Sequence, residues 1–242
     1  NIKGIYLEKP ISNSLSDALK ITNLCKINNI SLQINHQRRF DKFYNNIKNL
    51  IEKNSFGAIQ NVVIYYGGGV ANTGSHIFDL IEFLFGKISW VEGKKSLNVS
   101  NNLSDPNLNG IINTKSGVVC HLHSIDLKNY GIAEFDILFE KGRIKIDLTK
   151  STCKLFTVAP RQPNLSYPLL IPMKKNIPQS KNLILLGLDN LCNSIRNTEP
   201  LLCSGENGYS SLEIIVSLLI STKSKNRINL PINTKMYKIN SK

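Results

Sequence analysis

Residues 4–40 read GIYLEKPISNSLSDALKITNLCKINNISLQINHQRRF, and they speak most clearly about fold class. Gly4-Ile5-Tyr6-Leu7 is a short apolar run stopped by Glu8-Lys9-Pro10. A helix is predicted from about Leu15 to Ile27, with Ser12, Asn13 or Ser14 available as its cap. Leu32 and Ile34 mark a second strand, closed by the basic cluster Arg38-Arg39-Phe40. Strand, helix and strand within about 35 residues make a βαβ unit, the building block of parallel sheets. Two strands do not make a stable open sheet alone. Further strands are therefore expected upstream of Asn1, where the chain opens without a methionine.

Beyond Asp41 the pattern changes. Phe43, Ile47, Leu50 and Ile51 share a helical face, and Gly57 is a plausible end to that segment. Residues 59–66 (IQNVVIYY) read as a strand running into Gly67-Gly68-Gly69. Ile77, Leu80, Ile81, Leu84 and Phe85 then form the clearest amphipathic stripe in the chain, with Gly86 at its end. Strand-like runs follow at 88–99, 108–114, 117–127, 132–139, 143–148 and 152–158, punctuated by Asn109-Gly110, Ser116-Gly117 and Lys141-Gly142. Such turns suit a mostly antiparallel sheet. A Pro-rich loop from Pro160 to Pro178 precedes two helices, one carrying Leu188, Leu191, Cys192 and Ile195, the other Leu212, Ile215, Val216 and Leu219. The lysine-rich segment after Pro231 reads as a loosely ordered tail.

Composition narrows the function. The 242 residues carry 30 Lys and Arg against 17 Asp and Glu, a net charge of +13. The excess would attract anions, but the bases are scattered and no nucleic-acid motif accompanies them, so nucleic acid is not an expected partner. Apolar runs last only a few residues, well short of the ~20 needed to span a bilayer, and no membrane partner is expected. A secreted precursor is not expected, because no charged-then-apolar run with a small-residue cleavage site is read at the start of this sequence. Five cysteines without a CxxC suggest reduced thiols and a cytoplasmic protein.

Few residues could carry chemistry. Lys9 falls at the carboxyl end of a parallel strand, where ligands bind in open α/β sheets, and Pro10 disfavours helix there. An ammonium so placed can donate to a hydroxyl or carbonyl and stabilise developing negative charge; the ordinary alternative is a solvated lysine at a strand end. Asn72 and His76 are spaced i, i+4, which would put them about 6 Å apart on one face of a helix start. The positive end of that helix would keep His76 neutral and available as a base; the alternative is a satisfied histidine beside an apolar stripe. Gly67-Gly68-Gly69 is not a GxGxxG loop. Asp79 reads as a helix-surface or domain-contact carboxylate. Arg38 and Arg39 end a strand at the sheet edge of Lys9, where a guanidinium could reach a phosphate or a carboxylate; the ordinary alternative is a solvated basic turn. His121 and His123 would share a strand face, but no third and fourth ligands are evident, and no metal is expected.

These pieces occur in a familiar order. Glu8-Lys9-Pro10, Asn35-His36-Gln37-Arg38-Arg39-Phe40, Phe56-Gly57-Ala58-Ile59, Gly67-Gly68-Gly69 and Gly74-Ser75-His76-Ile77-Phe78-Asp79-Leu80 resemble the Gfo/Idh/MocA oxidoreductase family. So does the ending Gly205-Glu206-Asn207-Gly208 through Ser211-Leu212-Glu213. The resemblance implies an α/β fold: the C-terminal part of a Rossmann domain over 1–40, an α+β domain with an open, mostly antiparallel sheet over 41–231, and a tail over 232–242. It implies NAD or NADP as cofactor, with Glu8, Lys9, Pro10 and Arg39 beside it and the phosphate loop upstream of Asn1. It places Lys9 between nicotinamide and substrate and makes His76 the general acid/base. The position four residues before that histidine is often Asp in the family; here Asn72 can orient a sugar hydroxyl but cannot exchange a proton.

The expected activity is hydride transfer between a nicotinamide and a hydroxyl of a sugar, cyclitol or sugar nucleotide. Lys9, Asn72 and His76 would bind that small, sugar-like substrate and act on it. A reversible oxidation serving hydrolysis is a related possibility. A non-catalytic, ligand-sensing protein on the same fold is the alternative from another class. An open apolar sheet face seldom stays solvated, so a homo-oligomer through that face is expected.

Overall fold

The computed structural model describes residues 2–97, 100, 102, 104–233 and 237–239. Strand β1 (Gly4–Leu7) lies parallel to β2 (Ser31–Ile34), and helix α1 (Leu15–Ile27) joins them. Ser14 caps α1, its Oγ accepting from the Asp17 amide at 3.2 Å. Leu15, Ala18, Thr22 and Cys25 turn inward at helical spacing. The basic cluster after β2 folds into a 3-10 turn over Gln37–Phe40.

Helix α2 (Lys42–Glu52) begins at Asp41, whose Oδ1 accepts from the Phe43 amide at 3.0 Å and the Ser180 amide at 2.7 Å. The helix closes earlier than Gly57 suggests. Asn54 takes the left-handed conformation (φ 52°), which asparagine tolerates well, and Gly57 serves the turn into β3 (Ile59–Tyr66). After the glycine run a π-helical turn over Gly69–Thr73 leads into α3 (Gly74–Phe85). Gly86 ends α3 as expected, at φ 89°.

The remaining strands are β4 (Ile88–Lys95), β5 (Leu108–Thr114), β6 (Val119–Ser124), β7 (Glu134–Phe139), β8 (Gly142–Asp147), β9 (Thr152–Val158), β10 (Leu170–Pro172) and β11 (Ile228–Asn229). Helices α4 (Leu183–Ile195) and α5 (Gly205–Ser224) separate the last two. Among the described residues the large sheet runs β10-β9-β8-β7-β3-β6-β5-β4-β11. Every neighbouring pair is antiparallel except β3 with β6. The expected strand at 88–99 ends at Lys95, and residues 98 and 99 lie outside the described ones. β10 forms inside the stretch expected to be loop, because its backbone pairs with β9.

Period-two alternation sorts the two faces of the sheet. Val62, Ile64, Tyr66, Ile112, Leu122, Phe135, Ile137 and Ile144 are buried in the core together with residues of α3 and α5. The other face is mixed, where an apolar surface was expected. Tyr65 and Leu138 are exposed there beside an ion pair between Asp136 and Arg143, which cross-links β7 to β8. Polar cross-strand pairs let such a face tolerate water. In the expected tail, Ile239 is buried and its amide donates to Asn13 O at 2.8 Å. No described helix is long and apolar enough to cross a membrane.

Candidate active site

Four consecutive amides of the π-helical turn point at three consecutive residues ahead of β5. Gly69 N donates to Asn107 Oδ1 (2.9 Å), Val70 N to Pro106 O (3.0 Å), Ala71 N to Asp105 Oδ1 (2.7 Å) and Asn72 N to Asp105 Oδ2 (2.9 Å). A helix start leaves such donors unsatisfied, and here a distant loop satisfies them. Gly69 is required by this arrangement. Its φ is 94°, and a Cβ would stand 2.1 Å from Asp105 Oδ2.

The turn presents Asn72 to Lys9. The lysine sits just beyond the carboxyl end of β1, before a cis peptide to Pro10. Its Nζ donates to Asn72 O and Asn72 Oδ1, both at 3.0 Å. An ammonium has three donors, so one remains for a ligand. Lys9, Pro10, Gly68, Ala71, Asn72, Asn102 and Asp105 line a cavity of about 310 Å³. Burial lowers the Lys9 pKa, as does Arg38, while Glu8 and Asp105 raise it. Glu8 is itself held, accepting from Asn35 Nδ2 at 2.6 Å, and Asn35 Oδ1 accepts from the Tyr6 hydroxyl at 2.7 Å.

Lys9 and Asn72 are thus brought together, whereas His76 is joined to a different partner. Its ring meets His36 edge-on, with centroids 6.1 Å apart and planes at 89°. Burial, reinforced by the charges of Arg38 and Lys9, drives the His76 pKa down to about 2. His36 is 2% exposed, and both its ring nitrogens are buried without a hydrogen-bond partner. Burial first, then Arg39, Lys9 and Arg38, lowers its pKa to about 3. Asp79 Oδ2 lies 4.0 Å from His36 Nδ1, beyond hydrogen-bond reach. Both imidazoles are neutral at ordinary pH.

Arg39 is placed elsewhere than at the cavity. It is buried, with Nε 2.9 Å from Asp79 Oδ1 and 3.1 Å from Asp79 Oδ2, and its guanidinium lies 5.3 Å from the Phe83 ring centroid. Burial pushes the Asp79 carboxyl up to about 6 against the pull of Arg39, and the pair is charged at neutral pH. Its guanidinium is therefore committed to tying the 3-10 turn to α3. Arg38 stacks over the Tyr44 ring at 6.0 Å, and its Nη1 is buried without a partner. His121 and His123 lie on β6, where His123 stacks on Tyr65; no described group of three or more His, Cys, Asp or Glu could hold a metal.

Sequence reading passed over His36 and Asp105. His36 was visible inside the Asn35–Phe40 cluster, but only the fold brings it against His76. Asp105 had one signal, an acid beside a proline at the mouth of a strand in an acid-poor chain.

Residues 65–230, more than half of the chain, match the model of an oxidoreductase family's C-terminal alpha/beta domain. No curated protein matches the chain. Several solved structures share the fold. A chain from Desulfitobacterium hafniense, named as a candidate NADPH-dependent oxidoreductase, superposes with a TM-score of 0.82 at 16% identity, covering 94% of this chain and 73% of its own. The WlbA dehydrogenase of Bordetella pertussis, solved with NADH and UDP-GlcNAcA, gives 0.72 at 18%, covering 95% and 72%. The UDP-N-acetylglucosamine 3-dehydrogenase GnnA of Acidithiobacillus ferrooxidans gives 0.71 at 15%, covering 90% and 71%. Because the family match takes in most of the nine-stranded sheet and the helix that bears His76, this chain belongs to the Gfo/Idh/MocA family of oxidoreductases.

Proposed function

We propose that the chain carries the substrate side of an NAD(P)-dependent dehydrogenase acting on a hydroxyl of a sugar, cyclitol or sugar nucleotide. The observation that carries this reading is the Lys9 ammonium, resting on Asn72 at the edge of a polar cavity beyond the carboxyl end of a parallel strand. The solved relatives that bind UDP-GlcNAcA or act on UDP-N-acetylglucosamine support the substrate class.

The residues here fit the nicotinamide end of such a cofactor. An ammonium, an amide and a carboxylate line the cavity, matching a carboxamide and a carbinol with donors and acceptors. The chain holds no GxGxxG loop, so the phosphates would be held by residues other than these. When bound, a nicotinamide supplies the hydride acceptor or donor. Lys9 would give its third N–H to the carbinol oxygen and stabilise the negative charge that develops there. Asn72 would orient the same substrate while holding Lys9 in place. His76 would take the hydroxyl proton; neutral at working pH, it gains basicity as negative charge builds beside it. Glu8 and Pro10 would shape the cofactor edge of the cavity, and Arg39 serves packing in this reading. We further propose that copies associate through the mixed open face of the sheet.

The test is turnover of sugars, cyclitols and nucleotide sugars by the full-length protein, with any coding sequence upstream of Asn1 included. Lys9→Met and His76→Ala should each lower kcat/KM by about 10²-fold or more. Unchanged turnover in His76→Ala would remove the histidine from the mechanism. Sugar binding without any nicotinamide-dependent turnover would favour a ligand sensor.

A further inference from the structure

We infer that Asp105 is the positioning residue of this site: its carboxylate fastens the π-helical turn by the amides of Ala71 and Asn72, and so sets both Asn72 oxygens on which the Lys9 ammonium rests. The inference goes one step beyond the proposed dehydrogenase, and its kinetic arm rests on that reading.

The geometry is specific. Asp105 is 4% exposed, yet its carboxylate borders the same cavity as Lys9. Both carboxylate oxygens are used, one on each of two successive amides. The flanking residues repeat the grip on Gly69 and Val70, so the whole turn is tied to the start of β5, a strand of the rigid sheet. Asn107 extends the tie across the sheet by donating to Ile125 O at 3.1 Å. The turn has no side-chain cap of its own. A π-helical turn is a rare local geometry, found frequently at functional sites. The Asn72 carbonyl also accepts from Ser75 Oγ at 2.7 Å, which links the same peptide to α3. A shift of the turn therefore moves Lys9's two acceptors together.

Asp105 also acts on Lys9 by charge. The ammonium faces Glu8 from its own strand end, Asp105 from the loop before β5 and Arg38 from the 3-10 turn, with neutral His36 and His76 nearby. Of these groups only Glu8 and Asp105 favour its protonated form. Removing the Asp105 charge leaves Arg38 and burial less opposed.

The first experiment is an NMR titration of the ¹³C,¹⁵N-labelled protein with its lysines unmodified, the Lys9 ¹³Cε signal being assigned by its loss in Lys9→Arg. In Asp105→Asn, with circular dichroism unchanged, the Lys9 pKa should fall by roughly half a unit or more. In the full-length protein the same variant should lower kcat about tenfold with KM within about twofold, and move the alkaline limb of the pH profile to lower pH. A folded Asp105→Asn chain whose Lys9 titrates as before overturns the inference. If that variant does not fold, the unaltered chain decides: the Ala71 and Asn72 amide shifts should follow one carboxylate titration, and their failure to do so overturns it equally. If Lys9→Met leaves turnover intact while Asp105→Asn still shifts Lys9, the positioning stands and the dehydrogenase reading falls.

Discussion

His36 shows how a single buried side chain can set the behaviour of a site it does not line. Its imidazole has no hydrogen-bond partner and packs against His76, and it adds to the burial and to the Arg38 and Lys9 charges that keep His76 unprotonated. In the unfolded chain both would take up a proton near pH 6.5. In the fold they do so only at about 3 and about 2. Below pH 6.5 the unfolded state therefore binds more protons, and stability that is complete above that pH is lost as the pH falls. Each histidine contributes up to about 1.4 kcal/mol per pH unit to that slope. Asp79 works the other way between about 6 and its ordinary range, because its folded pKa is raised. His36→Phe isolates the histidine term: urea midpoints taken from pH 7 to 4 should fall less steeply than in the unaltered chain. Parallel curves would show that His36 is protonated in the fold.

Among the elements, the 3-10 turn over Gln37–Phe40 and helix α3 are joined by the Arg39–Asp79 pair rather than by apolar contact alone. Both side chains are nearly buried, so loss of one partner strands the other charge away from water. Asp79→Ala should lower the unfolding free energy by about 3–5 kcal/mol in a denaturant titration. A loss below about 1 kcal/mol would mean that the pair is not the clamp. Because α3 also carries His76, the clamp fixes that histidine relative to β1 and Lys9. The apolar stripe marked α3, and the i, i+4 spacing was expected to set Asn72 and His76 on one face of its start; the structure turns Asn72 towards Lys9 through the π-helical turn and packs His76 against His36.

Across the whole molecule, one sheet face is sealed by helices and the other is left open with Tyr65, Leu138 and the Asp136–Arg143 pair upon it. Under the proposed association, Leu138→Glu should shift the mass measured by light scattering from oligomer to monomer without loss of fold. A monomeric unaltered chain at tens of micromolar would rule out this interface. In that proposal the mixed face would pair charges as well as apolar anchors, and the association should weaken with added salt.

Periodicity made much of this legible beforehand. The α1 boundaries, the stripe of α3 and the strands at 108–114 and 152–158 follow from side chains repeating every 3.6 or two residues, a local property that needs no partner. Lys9 was visible because a proline after a strand marks a place where backbone turns at a sheet edge. The rest depended on partners far away in the chain. Asp105 lies 33 residues from the Asn72 amide it holds, and Arg39 lies 40 residues from Asp79. No local pattern announces such pairs, because a hydrogen bond or an ion pair is decided by which groups the fold strips of water and leaves within 3 Å of each other.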